Sequence, residues 1–142
     1  MAKHVRDAMT AHVRTASPAQ SLADAAEVMK AEDVGSVPVV DDGRLIGIVT
    51  DRDIVVRVVA EHRDPQAVRV DEVASRELVT VAPEQDLDEA LRLMAAHQVR
   101  RLPVVDDGRL VGMLAQADVA IEARAGKVAT AVEEISKPTG QR

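Results

Sequence analysis

The chain has 142 residues, 46% of them hydrophobic, a formal charge of −6, and no Cys, Phe, Tyr or Trp. That length and apolar content suit one compact domain with a sizeable core, and they exclude the low-hydrophobicity composition of disordered chains. The absence of Cys excludes disulfides, thiolate metal sites and a cysteine nucleophile, and an acidic, aromatic-free surface argues against general nucleic-acid binding.

The N-terminal residues Met1 to Asp7 are polar and lack the apolar stretch of a signal peptide. No apolar run approaches the roughly 20 residues of a membrane span. The expectation is a soluble, cytoplasmic protein without a membrane partner. A short leader, Val5 to Met9, precedes an extended segment around Val13 to Ala16, and Pro18 turns the chain. Ser21 and Asp24 have the spacing of a helix-opening box, and Leu22, Ala25, Ala26, Met29 and Ala31 give the helix its apolar stripe. Val37 to Val40 reads as a buried strand. Asp42-Gly43 is a two-residue hairpin turn, because Gly tolerates positive φ, and Leu45 to Val49 is the returning strand. A second helix starts near Asp51 and runs through Ile54, Val55, Val58 and Val59.

The same order then recurs. Val37-Pro38-Val39-Val40-Asp41-Asp42-Gly43-Arg44-Leu45-Ile46-Gly47 returns as Leu102-Pro103-Val104-Val105-Asp106-Asp107-Gly108-Arg109-Leu110-Val111-Gly112, an offset of 65. Between 5–57 and 70–122, 19 of 53 positions are identical without a gap. A duplicated unit of this size accounts for the whole architecture. The fold class is therefore α/β (α+β), with two tandem β-α-β-β-α repeats closing on each other with pseudo-two-fold symmetry. The repeats set the expected boundaries: 1–61 for the first, 62–69 for a linker, 70–125 for the second, and 126–142 for a C-terminal helix (Val128 to Ile135) and tail. In the second repeat Asp86 and Glu89 take the box positions and Asp107-Gly108 makes the hairpin.

The richest stretch for chemistry is Gly47-Ile48-Val49-Thr50-Asp51-Arg52-Asp53, where a strand gives way to a helix. Unpaired N–H groups at such a junction favour a phosphate, which the Thr50 hydroxyl can also address. The Asp53 carboxylate can accept from two vicinal ribose hydroxyls. The bland alternative is that Thr50 only caps the helix. Asp118 recurs at the matched position, which reads as too deep in its helix for a simple cap. The remaining candidates point to packing and turns. His4, His12, His62 and His97 have no metal-ligand spacing, and His97, near a helix C-terminus where a cation is favourable, reads as a cap and not a ligand. Met29 and Met94 lie on apolar stripes. Asp41-Asp42 and Asp106-Asp107 flank turns, where Asp is favoured locally. No catalytic constellation can be assembled, so no metal site and no enzyme activity is expected.

The two hairpins and the Gly47…Thr50…Asp53 motif resemble a CBS-domain pair, or Bateman module, over nearly the whole chain. Thr50-Asp51-Arg52-Asp53-Ile54-Val55 and His97-Gln98-Val99-Arg100-Arg101 are most like the small hypoxic-response-type members. The resemblance implies a stand-alone, non-catalytic regulatory module, a homodimer, and an unnamed protein target. It also implies an adenosine-containing ligand (AMP, ADP, ATP, NAD or S-adenosylmethionine) rather than an obligatory cofactor. Such ligands occupy two clefts between the repeats. Carried over, the first cleft takes Thr50, Asp53, Thr80, Val99, Arg100 and Arg101. The second takes Asp118, Thr15, Val34, Gly35 and Ser36. Ala115 stands where the family motif has Thr or Ser, and Gly35 and Ser36 stand where the first cleft has Arg100 and Arg101. The resemblance therefore implies a weaker second cleft for a phosphorylated ligand. The alternative is a ligand-free interaction module acting through its dimer surface.

Overall fold

The computed structural model describes residues 3–123; the expected helix at Val128 to Ile135 and the tail lie outside them. The chain is mixed α/β and divides into two compact units. One is Arg14–Leu78. The other joins the N-terminal residues up to Val13 to the chain from Val79 onward. Among the described residues, no helix is long and apolar enough to cross a membrane.

The unit Arg14–Leu78 holds helix α2 (Leu22–Glu32), a hairpin of β1 (Ser36–Asp41) and β2 (Arg44–Thr50), and the turn α3 (Asp51–Ile54). Val55–Val59 follows as a π-helical segment, and α4 (Val70–Val73) closes the unit. Ser21 caps α2, its hydroxyl accepting the Asp24 N–H at 3.1 Å. Two further N-terminal donors, Leu22 and Ala23, reach the carbonyls of Val68 and Pro65 at 2.9 and 3.1 Å. The segment expected as a bare linker thus closes the N-terminus of α2. The buried face of α2 is Leu22, Ala25, Val28 and Met29. Val28 takes the place anticipated for Ala26 and Ala31, which are both exposed. A stripe at i, i+3, i+6 and i+7 from Leu22 is the narrower face that one hairpin can cover.

Asp42 and Gly43 both have positive φ, 52° and 83°, the geometry of a tight two-residue hairpin. Between Val39 and Val40 the register slips, so that Ile46 bulges out of β2. Pro38 sits mid-strand opposite Ile48 without breaking the pairing. The backbone polar groups of Ile48 face away from it, donating to and accepting from Ser75 at 3.0 and 2.8 Å. The missing proline N–H therefore falls at a position where the hairpin asks for none.

The first strand expected in each repeat contracts to one parallel bridge, Ala16 to Val39 and Val81 to Val104. The Ala16 N–H donates to the Pro38 carbonyl at 2.9 Å, and its carbonyl accepts from Val40 at 2.9 Å. Directly afterwards Ser17 enters a turn, its N–H held by Gln20 Oε1 at 2.9 Å, and Pro18 ends any extension.

The other unit repeats this plan with α5 (Leu87–His97), β3 (Arg101–Asp106), β4 (Arg109–Ala115) and α6 (Gln116–Ala123). Asp107 and Gly108 form the same tight turn, and Val111 is the bulged residue. The helix-opening box expected at Asp86 is absent: the Asp86 side chain makes no cap bond. Instead the Leu87 N–H is taken by the Lys3 carbonyl at 2.9 Å, and Glu89 accepts from Gln85 Nε2 at 2.7 Å. His97 is the last helical residue, and the cap is Gln98, at φ 54°.

The leaders explain the division of the chain. Helix α1 (Val5–Ala8) buries Val5 completely in the core of the second repeat, with Leu91, Met94, Leu102 and Leu114. Helix α4 buries Val70 and Val73 in the core of the first, with Leu22, Val39 and Val58. Each repeat is thus closed by the leader that precedes the other one in sequence. The repeats remain the sequence units, while the compact units break near Val13 and Leu78 because apolar burial follows the leaders. Both cores are wholly aliphatic and methionine-lined, consistent with the aromatic-free composition.

Candidate functional site

At the β2–α3 junction Thr50 is the N-cap. Its Oγ1 accepts the Asp53 N–H at 3.1 Å, while Asp53 Oδ2 accepts the Thr50 N–H at 2.9 Å. The Thr-x-x-Asp spacing folds this way because residue N3 of a helix faces back toward its cap. The cap reading of these residues is therefore correct, but it leaves chemistry over. The cap uses the Thr50 oxygen as an acceptor, so its O–H can still donate, and Asp53 Oδ1 has no hydrogen bond among the described residues. Both side chains are half-buried. The Asp51 N–H is already taken by the Gly35 carbonyl at 2.9 Å. After one turn the helix widens, with the Ala60 and Arg63 N–H groups reaching five residues back to Val55 and Val58 at 2.8 and 2.9 Å.

The matched junction at β4–α6 corrects the reading of Asp118. It is not too deep for a capping role: Asp118 Oδ2 accepts the Ala115 N–H at 3.2 Å, the second half of the same box. Ala115 supplies no hydroxyl, so the first half is missing. A hydroxyl nevertheless reaches the carboxylate, since Thr10 Oγ1 lies 3.4 Å from Asp118 Oδ2. The Gln116 N–H is taken by the Arg100 carbonyl at 2.8 Å, as Asp51 is by Gly35.

The other expected residues are arranged by repeat. In the first repeat, Thr15 is exposed just before the Ala16 bridge, the Val34 N–H donates to the Met29 carbonyl at 3.0 Å, and Ser36 pairs with Thr50. In the second, Thr80 is exposed just before the Val81 bridge, the Val99 N–H donates to the Met94 carbonyl at 3.0 Å, and Arg101 pairs with Ala115. The fold thus places Gly35 and Ser36 beside Thr50 and Asp51, and Arg100 and Arg101 beside Ala115 and Gln116, each on one repeat's own frame.

Gly47 and Gly112 have a structural task. A Cβ on Gly47 would lie 2.9 Å from the Ser75 carbonyl oxygen, and one on Gly112 2.7 Å from that of Thr10. Each leader crosses the returning strand at its glycine, and the pair of backbone hydrogen bonds between Thr10 and Met113, 2.8 and 2.9 Å, matches that of Ser75 with Ile48. Thr10 and Ser75 were missed in the sequence, although the same offset of 65 relates them.

Charge is organised around the leaders. The Asp7 carboxyl is held below the usual range by the His4 N–H it accepts. Asp71 is lowered by the Arg69 guanidinium, at 2.8 and 3.1 Å. Glu72 is lowered first by the Arg69 N–H and then by Arg63. Among the described residues, no three His, Asp or Glu side chains group as a metal cluster would require.

Comparison with known proteins adds a family. The CBS domain model matches residues 5–60 and again 70–124. The chain is 50% identical over 117 residues to the CBS domain-containing protein YhcV of Bacillus subtilis, covering 82% of this chain and 83% of that one. It is 40% identical over 116 residues to hypoxic response protein 1 of Mycobacterium tuberculosis, covering 81% of each. The crystal structure of Hypoxic Response Protein I with two coordinated zinc ions superposes with a TM-score of 0.77, at 38% identity, over 84% of this chain and 98% of that one. CBSX2 in complex with AMP superposes with a TM-score of 0.76, at 29% identity, over 86% and 96%. With two matched domains spanning most of its length, the chain belongs to the CBS-domain family.

Proposed function

We propose that the chain is a non-catalytic regulatory module that binds an adenosine-containing ligand and passes its occupancy to a separate protein target. The ligand class is AMP, ADP, ATP, NAD or S-adenosylmethionine. The supporting observation is the Thr50–Asp53 box. It fixes both side chains at a helix start while leaving the Thr50 O–H as a donor and Asp53 Oδ1 as an acceptor. A phosphate and a ribose diol ask for that pair of functions. AMP bound to CBSX2, a structural neighbour, supports the nucleotide class.

The test is dye-based thermal shift with AMP, ATP, NAD and S-adenosylmethionine, each variant compared with and without ligand. An external dye is needed because the chain lacks Trp and Tyr. A ligand at 100 times its dissociation constant adds about 2.7 kcal/mol of stability. That gain is expected to vanish in Asp53→Ala and to persist in Asp118→Ala. The comparison must be made within each variant, because losing the box costs Asp53→Ala about 1 kcal/mol without any ligand. No gain for any of these ligands in the unmutated protein would overturn the reading.

One observation favours a second reading, an interaction module working through a dimer surface. Val55 and Val59 are 57% and 59% exposed, and Ile121, at the position matched to Val56, is 65% exposed. Such faces are unusual unless covered, and a second copy of the chain is the proposed cover. Light scattering at micromolar concentration should give a dimer mass, reduced to that of a monomer by Val59→Asp; a monomer in the unmutated protein removes this reading.

A further inference from the structure

We propose that the leader Val5 to Thr10 is an exchangeable strap: two copies of the chain trade it, each copy's leader closing the other's unit from Val79 onward. This interface is separate from the valine face described above and does not depend on the nucleotide reading. Three observations carry it.

First, the leader packs on one unit alone. Val5 is wholly buried with Leu91, Met94, Leu102 and Leu114, and Ala8 and Met9 pack on the same core. The Val5 and Arg6 N–H groups donate to the Gln85 and Pro83 carbonyls, both at 2.9 Å, and Thr10 is paired with Met113. A second copy's leader finds the same partners, so exchange forfeits none of these contacts. Second, the joint is short and unsupported. Ala11, His12 and Val13 connect the leader to the other unit, which begins at Arg14. Among the described residues these three make no hydrogen bond, and Ala11 and His12 are exposed. His12 holds φ 58°, in the left-handed region that a residue with a Cβ enters unfavourably. A joint running on to a second copy gives up this turn, and a short strained joint invites swapping. Third, the other leader is pinned where it lies. The Val70 and Asp71 N–H groups reach the Gln20 and Pro18 carbonyls at 2.8 and 3.1 Å, and Arg57 and Arg63 hold the Val73 carbonyl and Glu72. The chain entering α4 already belongs to the unit that α4 closes, so α4 cannot leave without unlocking that unit.

The experiment uses the full chain carrying Val59→Asp, so that the valine face does not pair. After refolding from urea, light scattering should show a dimer fraction that grows with the protein concentration during refolding and persists on later dilution. His12 touches nothing, so its variants probe the joint without disturbing either core. His12→Val, β-branched and poorly suited to positive φ, should raise the ratio of exchanged to closed chains about 5-fold, and His12→Gly should lower it about 5-fold. Cross-linking identifies the interface, since the chain has no cysteine of its own. Thr10 Oγ1 lies 3.4 Å from Asp118 Oδ2. A chain with Thr10→Cys refolded together with one bearing Asp118→Cys should therefore be joined across chains by a short dithiol-reactive reagent. Thr10→Cys with Lys30→Cys, an exposed position on α2, measures random collision. A monomer at every concentration overturns the exchange, as does a dimer fraction indifferent to His12 or cross-linking no greater than collision. A dimer in the unmutated protein that disappears entirely with Val59→Asp supports the valine face and overturns the exchange, so the two interfaces are told apart.

Discussion

Replacing Gly47 by alanine tests the leader crossing directly. Gly47 has no positive φ, so backbone strain does not arise, and the loss of chain freedom in the unfolded state would by itself favour alanine by about 0.4–1 kcal/mol. Against that, the new methyl meets the Ser75 carbonyl oxygen at 2.9 Å and the Ala74 Cβ at 3.3 Å. The first of these is backbone and cannot swing aside. It can retreat only by stretching the two hydrogen bonds between Ser75 and Ile48, each worth about 0.5–1.5 kcal/mol net. Retreat would also lift α4, whose Val70 and Val73 are buried. A net loss of about 1–3 kcal/mol follows, in line with other cases of overpacking. At roughly 4 °C per kcal/mol for a domain of this size, the melting temperature should fall by about 4–12 °C. Gly35→Ala is the internal control. Its Cβ meets the exposed Asp51 carboxylate at 3.0 Å, and that side chain can rotate away, so the change should stay within about 0.5 kcal/mol. Far-UV circular dichroism in urea and on heating reports both variants without aromatic probes. Equal stabilities for Gly47→Ala and Gly35→Ala, or a gain in the former, would refute the crossing as the reason for glycine here.

Acid unfolding should draw on the leader carboxylates. Asp7, Asp71 and Glu72 all titrate below their ordinary values when folded, so the stability they add is present above about pH 4 and fades as the pH falls through their folded values. Glu72→Gln should make the acid limb of a melting-temperature profile shallower, and an identical limb would show that the Arg63 and Arg69 contacts carry no linkage. Replacing Arg100 and Arg101 together by alanine should weaken AMP more than adenosine, since charge-assisted contacts of about 1.5–3 kcal/mol each address only the phosphate. Equal losses would mean that the arginines merely shape the surroundings.

The parts legible in the sequence were those with a local code. Asp42-Gly43 and Asp107-Gly108 can hardly be anything but tight turns, and the 65-residue offset declared the duplication before any element was assigned. The leaders were not legible, because Val5 to Thr10 and Val70 to Ser75 carry nearly the same pattern. Either segment could pack on either repeat, and only long-range burial decides. Val55-Val56-Arg57-Val58-Val59 likewise shows an apolar run but not its pitch; the Arg57 side chain, donating to the Val73 carbonyl at 2.9 Å, ties the widened turn to α4. At the candidate site the motif identified Thr50 and Asp53 and left open whether they cap or bind. Thr10 escaped notice because its partner, Asp118, lies at the far end of the chain.

The exchange of leaders also sets an order of assembly. Everything that closes the unit Arg14–Leu78 has been synthesised once residue 78 is made, so that unit can finish folding while the rest of the chain is still being translated. The first dozen residues belong to the later unit and must wait about a hundred residues for Met113, their hydrogen-bonding mate. Until then Val5 lacks Leu91, Met94, Leu102 and Leu114, the residues that bury it. Contacts that span such a distance slow folding, so the leader Val5 to Thr10, made before the unit it closes, is among the last parts to settle.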